Sequence, residues 1–223
     1  MSALAAATGA ANLGQGFPDA DGPEWIREAA ITAVREGANQ YPPGRGIPAL
    51  RAAVAAHQLR HYGMTFDPDS EILITAGATE AIASAILALA GPGDEVLTIE
   101  PFYDSYAAGI AMAGATHVTV PLVPGADGFR LDVEALAERV TERTRLILVN
   151  TPHNPTGTVL TRAELERVAE AATRVDAIVI TDEVYEHLTF DGQVHTPLAT
   201  LPGMAERTLT ISSAGKTFSL TGW

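Results

Sequence analysis

Lys216 is the only lysine in a chain of 223 residues; the other thirteen of its 14 basic side chains are arginine. Arginine keeps its proton at any ordinary pH, whereas a desolvated lysine can lose its own, attack a carbonyl carbon and form a Schiff base. The plainer reading is a surface lysine left over in an arginine-biased composition, so the surroundings have to decide. Lys216 lies in Ser212-Ser213-Ala214-Gly215-Lys216-Thr217, directly after the β-branched run 208–211. Asp182 likewise ends an apolar run, and Tyr185 follows three residues later. An acid in that place is either a helix cap or a carboxylate that pairs with a buried cationic ring nitrogen, with a phenol beside it.

These residues need elements to carry them. Short apolar runs at 72–75, 96–99, 118–120, 146–149, 178–181 and 209–211 read as strands. Helical patterns lie between most of them, at 78–90, 103–113, 132–139 and 163–174. Two further helices precede them. One, over 23–37, sets Ile26, Ala30, Ala33 and Val34 at helical spacing; the other, over 47–62, turns Leu50, Val54 and Leu59 toward a core. Strands apolar on both faces and separated by helices predict an α/β fold, a mostly parallel sheet with helices on both faces. Ligands of such sheets bind at the carboxyl ends of the strands.

Five of the six predicted strands deliver a suitable group to that rim. After 72–75 comes Gly77-Ala78-Thr79-Glu80, a helix start with free backbone N–H groups and a hydroxyl; it suits a phosphate, or is an ordinary start capped by Thr79. After 96–99, Phe102 and Tyr103 offer a ring to stack on a planar ligand, or simply core packing. After 146–149, Asn154-Pro155-Thr156-Gly157 fits a type I turn, which leaves open what the Asn154 amide binds. Asp182 with Tyr185, and Ser213 with Lys216, complete the rim. A phosphate, a flat ring, a ring nitrogen wanting a carboxylate and an aldehyde for a lysine are together the features of pyridoxal 5′-phosphate.

Composition narrows the partners. With 27 acidic against 14 basic residues the net charge is −13, which argues against nucleic acid or an anionic membrane surface. There is no cysteine, hence no disulfide and no thiolate chemistry. The N-terminus lacks the basic flank of a signal peptide, and the longest apolar run, 81–90, is too short to span a bilayer. A soluble, cytoplasmic chain is expected. The glycine-rich turn Gly14-Gln15-Gly16-Phe17-Pro18-Asp19 lacks the framing strand and the third glycine of a dinucleotide fingerprint. His57 and His61, four apart on a helix, could share a metal, but the sequence shows no third ligand; they read as a solvated pair and no metal is expected.

Asn12-Leu-Gly-Gln-Gly-Phe-Pro-Asp19, Gly77-Ala-Thr-Glu-Ala81, Glu100-Pro-Phe-Tyr-Asp-Ser-Tyr106, Asn154-Pro-Thr-Gly157, Thr181-Asp-Glu-Val-Tyr-Glu186 and Ser213-Ala-Gly-Lys-Thr-Phe218 occur in this order. Taken together they closely resemble the fold-type-I, class I/II aminotransferases. The branch is that of the kynurenine/glutamine transaminases and bacterial N-succinyldiaminopimelate aminotransferases.

The resemblance implies a pyridoxal-phosphate enzyme that transfers an amino group between an amino acid and a 2-oxo acid. It makes Lys216, Asp182 and Tyr185 catalytic. Lys216 would form the Schiff base, Asp182 would pair with the ring nitrogen, and Asn154 and Tyr185 would bond the ring's 3′ oxygen. Tyr103 would stack on the ring, and Ala78, Thr79 and Ser213 would hold the phosphate. In a homodimer Tyr41 would reach the neighbouring subunit's phosphate, and Gly16 would offer backbone to the substrate carboxylate.

The same likeness divides the chain into a segment 1–22 that would join a small domain and an incomplete cofactor-binding domain, 23–223. A second phosphate-binding basic residue, a carboxylate-gripping arginine and a last antiparallel strand are expected in the family beyond Trp223, so the chain reads as C-terminally truncated. Two other outcomes stay open: a C–S β-lyase on the same scaffold, or, for this stretch alone, a catalytically inactive binding module.

Overall fold

A computed structural model of the chain describes residues 1–12, 14, 21–126 and 128–221. Six strands form one sheet in the order β3-β2-β1-β4-β5-β6. They are β1 (Glu95–Glu100), β2 (Thr116–Gly125), β3 (Gly128–Leu131), β4 (Thr144–Asn150), β5 (Ile178–Asp182) and β6 (Thr208–Ile211). All neighbours run parallel except β2 and β3, an antiparallel hairpin. The mostly parallel sheet inferred from the alternating pattern is therefore present.

Burial follows the pleat, because successive residues of a strand face opposite sides. Val96, Leu146, Leu148, Ile180 and Ile211 pack with Ile82, Ile86, Tyr106 and Ile110. These four come from α4 (Gly77–Leu89) and α5 (Asp104–Ala113). Leu97, Ile99, Ile147, Val149 and Val179 face the other way, onto Leu136, Leu165 and Val168. That layer is built by α6 (Val133–Arg139) and α7 (Arg162–Arg174). Thr161 opens α7 with a reciprocal capping box to Glu164, which fixes this boundary.

Three expectations are corrected. Residues 72–75 are not a strand. Among the described residues, their one backbone hydrogen bond to another segment runs from Ile74 N–H to the Arg45 carbonyl, 3.2 Å. Ladder bonds, not β-branched composition, make a strand, and no neighbour supplies them here. Gly46 permits that approach: its φ is +91°, and a Cβ there would lie 2.5 Å from Ile74 Cβ. The hairpin strand β3 was not anticipated, since Pro121 and Pro124 in β2 and the Gly125–Gly128 pair at the hairpin end weaken the local signal.

Finally, α2 (Glu24–Arg35) buries no residue, and on α3 (Pro48–Tyr62) Leu50 and Leu59 are exposed rather than turned into a core. No other described element covers those faces deeply. An additional short helix, α1 (Ser2–Thr8), lies at the start of the chain. No described helix is long and apolar enough to cross a membrane.

Candidate active site

The carboxyl ends of the parallel strands meet along one rim. In register, Asn150 stands beside Asp182, and Asp182 beside Ile211, so three strands end abreast. Glu183 N–H continues the ladder by donating to the Ile211 carbonyl at 2.8 Å. From Ile211 the chain runs through Ser212 and Ser213 into α8 (Ala214–Thr217), one turn of helix that carries Lys216. The Ser213 hydroxyl accepts from Gly215 N–H at 3.2 Å and caps that turn. Gly22 packs against the end of it: a Cβ there would sit 2.6 Å from the Phe218 carbonyl oxygen and 2.9 Å from that of Ser219.

Asp182 is 6% exposed. Its Oδ2 accepts from the Tyr106 hydroxyl at 2.5 Å, and its Oδ1 from Val184 N–H at 3.3 Å. Burial raises the Asp182 pKa, opposed by those two hydrogen bonds; Glu183 pushes the same way as burial, and the Lys216 charge opposes it. A buried acid with so little compensation is electrostatically prepared for a cation beside it. The Lys216 Nζ stands 5.8 Å from the Tyr185 ring centroid, within cation–π range. It makes no ion pair among the described residues. Burial raises the Tyr185 pKa, and the Asp182 and Tyr103 charges add to it.

The remaining predicted residues are placed as follows. Tyr103 is the residue before α5, with its ring edge-on to Tyr106 at 5.9 Å. Ala78 and Thr79 lie in the first turn of α4, which packs on β4, β5 and β6. Thr79 is not the cap: Ala76 holds that position, and its N–H donates to the Glu80 carboxylate. A negatively charged group is thus already accepted at this helix start. Asn154 opens the turn after β4, with its backbone N–H on Asn150 Oδ1 at 2.7 Å. That turn closes from Gly157 N–H to the His153 carbonyl at 2.8 Å, one residue wider than the expected type I turn. Tyr41 is 99% exposed. Gly16 lies outside the described residues.

Two residues that organise the site went unassigned in the sequence. Tyr106 sits inside an apolar helix and reads as core; its hydroxyl is noticeable only once α5 is laid over β5. Asn150 donates from Nδ2 to the Asp182 carbonyl at 2.8 Å and accepts from Asn154, so it ties two strand ends together. A primary amide closing an apolar strand was the available signal.

The donor set suits pyridoxal 5′-phosphate. Near the buried Asp182 carboxylate stand the Lys216 amine and the Tyr185 phenol, and neither the Tyr185 hydroxyl nor the Asn154 side chain after the neighbouring strand has a hydrogen-bond partner among the described residues.

Residues 8–223 match the family described as Aminotransferase class I and II. The chain is 60% identical over its whole length to a probable N-succinyldiaminopimelate aminotransferase of Mycobacterium tuberculosis and spans 56% of that relative. The solved structure of the N-succinyldiaminopimelate aminotransferase from that organism superposes with a TM-score of 0.98 at 60% identity, covering 100% of this chain and 58% of the other. A methionine aminotransferase of Escherichia coli is 47% identical over all of this chain and 57% of its own length. Human kynurenine–oxoglutarate transaminase 3 is 44% identical over 99% of this chain and 50% of its own. The chain belongs to the aminotransferase class I and II family, whose cofactor is pyridoxal 5′-phosphate.

Proposed function

We propose that this chain supplies the cofactor-binding part of an enzyme that moves an amino group from an amino acid to a 2-oxo acid. The observation that carries the reading is the buried Asp182 carboxylate on β5, with the amine of the sole lysine next to Tyr185 on the adjoining strand's continuation. Pyridoxal 5′-phosphate, when bound, supplies a heteroaromatic ring that accepts the electron pair left when a Cα–H bond breaks.

The chain's own residues do the rest. Lys216 would hold the cofactor, and its Nζ would take the proton of the breaking Cα–H bond. Asp182 would keep a proton on the ring nitrogen by Coulomb attraction in a water-poor site. Tyr185 and Asn154 would hold the ring oxygen, Tyr103 the ring, and Ala78, Thr79 and Ser213 the phosphate. Gly16 would face the substrate carboxylate. The fully exposed Tyr41 supports a homodimer in which it reaches a neighbouring subunit. The division into segment 1–22 and domain 23–223, and a cytoplasmic location suited to a chain without cysteine, belong to the same reading.

The 223-residue chain alone should not turn over substrate, because residues 72–75, which lead into the phosphate-binding helix, have no strand partner. Borohydride reduction after incubation with the cofactor should label Lys216, as read by peptide mass mapping, and Lys216→Arg should abolish the label. A label elsewhere, or one surviving in Lys216→Arg, would end the assignment. Assay of the longer protein for oxo-acid-dependent turnover against release of pyruvate and thiol separates the transferase from a β-lyase.

A further inference from the structure

The sequence shows two histidines one helical turn apart, and the fold adds a third. His57 and His61 project from α3, and His187 lies in the turn that follows β5. One ring nitrogen from each lies within 4.8 Å of the others. The His57 and His187 Nε2 atoms are 2.6 Å apart, and the ring centroids of the three pairs are separated by 4.6 to 4.9 Å. Beside them, Glu186 is buried; its Oε1 accepts from the Ser212 hydroxyl, while its Oε2 has no hydrogen-bond partner and lies 3.9 Å from His187 Nε2. Three imidazoles thus converge from two separate elements, with a carboxylate oxygen beside His187.

We propose that His57, His61 and His187 bind one divalent transition-metal ion of the zinc class through one ring nitrogen each. Zinc takes four nitrogen or oxygen donors tetrahedrally at about 2.0–2.1 Å, which sets neighbouring donors about 3.3 Å apart. The His57–His187 pair has to open by about 0.7 Å to meet this, and two of the three imidazoles are on exposed side chains free to do so. A hard cation such as magnesium would prefer an all-oxygen set and is not expected here.

The surroundings of His57 support the assignment. A ligating imidazole donates its other ring N–H to an acceptor, which fixes the tautomer. Gln58 places its side-chain nitrogen 3.3 Å from His57 Nδ1, while its Oε1 is buried without a partner. Turning the amide over exchanges the two atoms. It gives Oε1 a donor in His57 Nδ1–H and leaves the His57 Nε2 lone pair facing the cluster. The ion would pin α3 to the turn after β5, which also carries Tyr185.

The test uses the chain without an affinity tag, stripped with chelator, and titrates it with Zn2+ by calorimetry. One equivalent is expected to bind at micromolar Kd or tighter, with a melting temperature that rises with added Zn2+ and does not respond to Mg2+. Co2+ in its place should give the intense visible absorption of a tetrahedral site. His187→Ala and His61→Gln should each weaken Zn2+ binding at least 100-fold, and Gln58→Ala 10- to 100-fold, the range typical of outer-shell partners. His61 is exposed, so its substitution tests the site in a folded chain. Absence of saturable Zn2+ binding, or unchanged affinity in His61→Gln, overturns the proposal.

Discussion

Replacing Tyr106 by phenylalanine removes a single oxygen from a ring that is 2% exposed and leaves the surrounding packing intact. What disappears is the 2.5 Å hydrogen bond to Asp182 Oδ2, leaving the carboxylate with only the 3.3 Å bond from Val184 N–H. A hydrogen bond to a charged acceptor contributes roughly 1.5–3 kcal/mol, and one to a neutral acceptor about 0.5–1.5 kcal/mol. The cost therefore depends on whether Asp182 is ionised.

Burial already raises the Asp182 pKa above its ordinary value of 3.8. The native state thus holds a proton that the unfolded chain has released, and stability falls as pH rises from that value through the folded pKa. Tyr106→Phe takes away a bond that lowers this pKa, so in the variant the fall continues to higher pH. The gap between wild type and variant should be small in acid, widen through the window and level off above it. With an m-value on the order of 2–3 kcal/mol/M in urea, the midpoint shifts by about 0.5–1.5 M on the alkaline plateau. Urea denaturation at a series of pH values reads this directly. A difference that is the same at every pH would refute the coupling to Asp182. So would an equally large effect of Tyr106→Phe in an Asp182→Asn background.

Two further outcomes follow from other parts of the molecule. The buried Glu95 accepts hydrogen bonds from Thr141 (2.6 Å) and Arg143 (2.9 Å), chiefly the former holding its pKa below the ordinary 4.5. Its contribution should be complete above about pH 4.5 and vanish as pH falls through the lowered value, so Glu95→Gln should cost on the order of 1–2 kcal/mol at neutral pH and nothing in acid, as read from denaturation curves. Gly22→Ala places a methyl 2.6 Å from the Phe218 carbonyl oxygen and should cost roughly 1–3 kcal/mol while slowing borohydride-dependent labelling of Lys216; an unchanged labelling rate would show that the lysine turn does not lean on residue 22.

The parallel sheet was legible because runs such as 146–149 and 178–181 are apolar on both faces, a pattern a half-buried strand does not produce. The position of Asp182 followed from an acid terminating such a run. Residues 72–75 misled for the converse reason: composition reports a strand's preference, while pairing depends on a neighbour far away in sequence. Tyr106 and His187 were hidden by distance. The first meets Asp182 across 76 residues and the second meets His57 across 130, and no local pattern announces either contact. Apolar spacing on α2 and α3 correctly predicted helices but not burial, since periodicity does not say what lies opposite.

Among the described residues β6 bonds to β5 on one side only, and its Thr208 and Thr210 hydroxyls are buried without partners. Lys216 therefore hangs from an edge strand by a four-residue turn, whereas Asp182 is anchored further in, between β4 and β6. Any chain segment that zipped onto that open border would stiffen Lys216 far more than Asp182. The spacing of amine and carboxylate is then a matter of what docks along one seam.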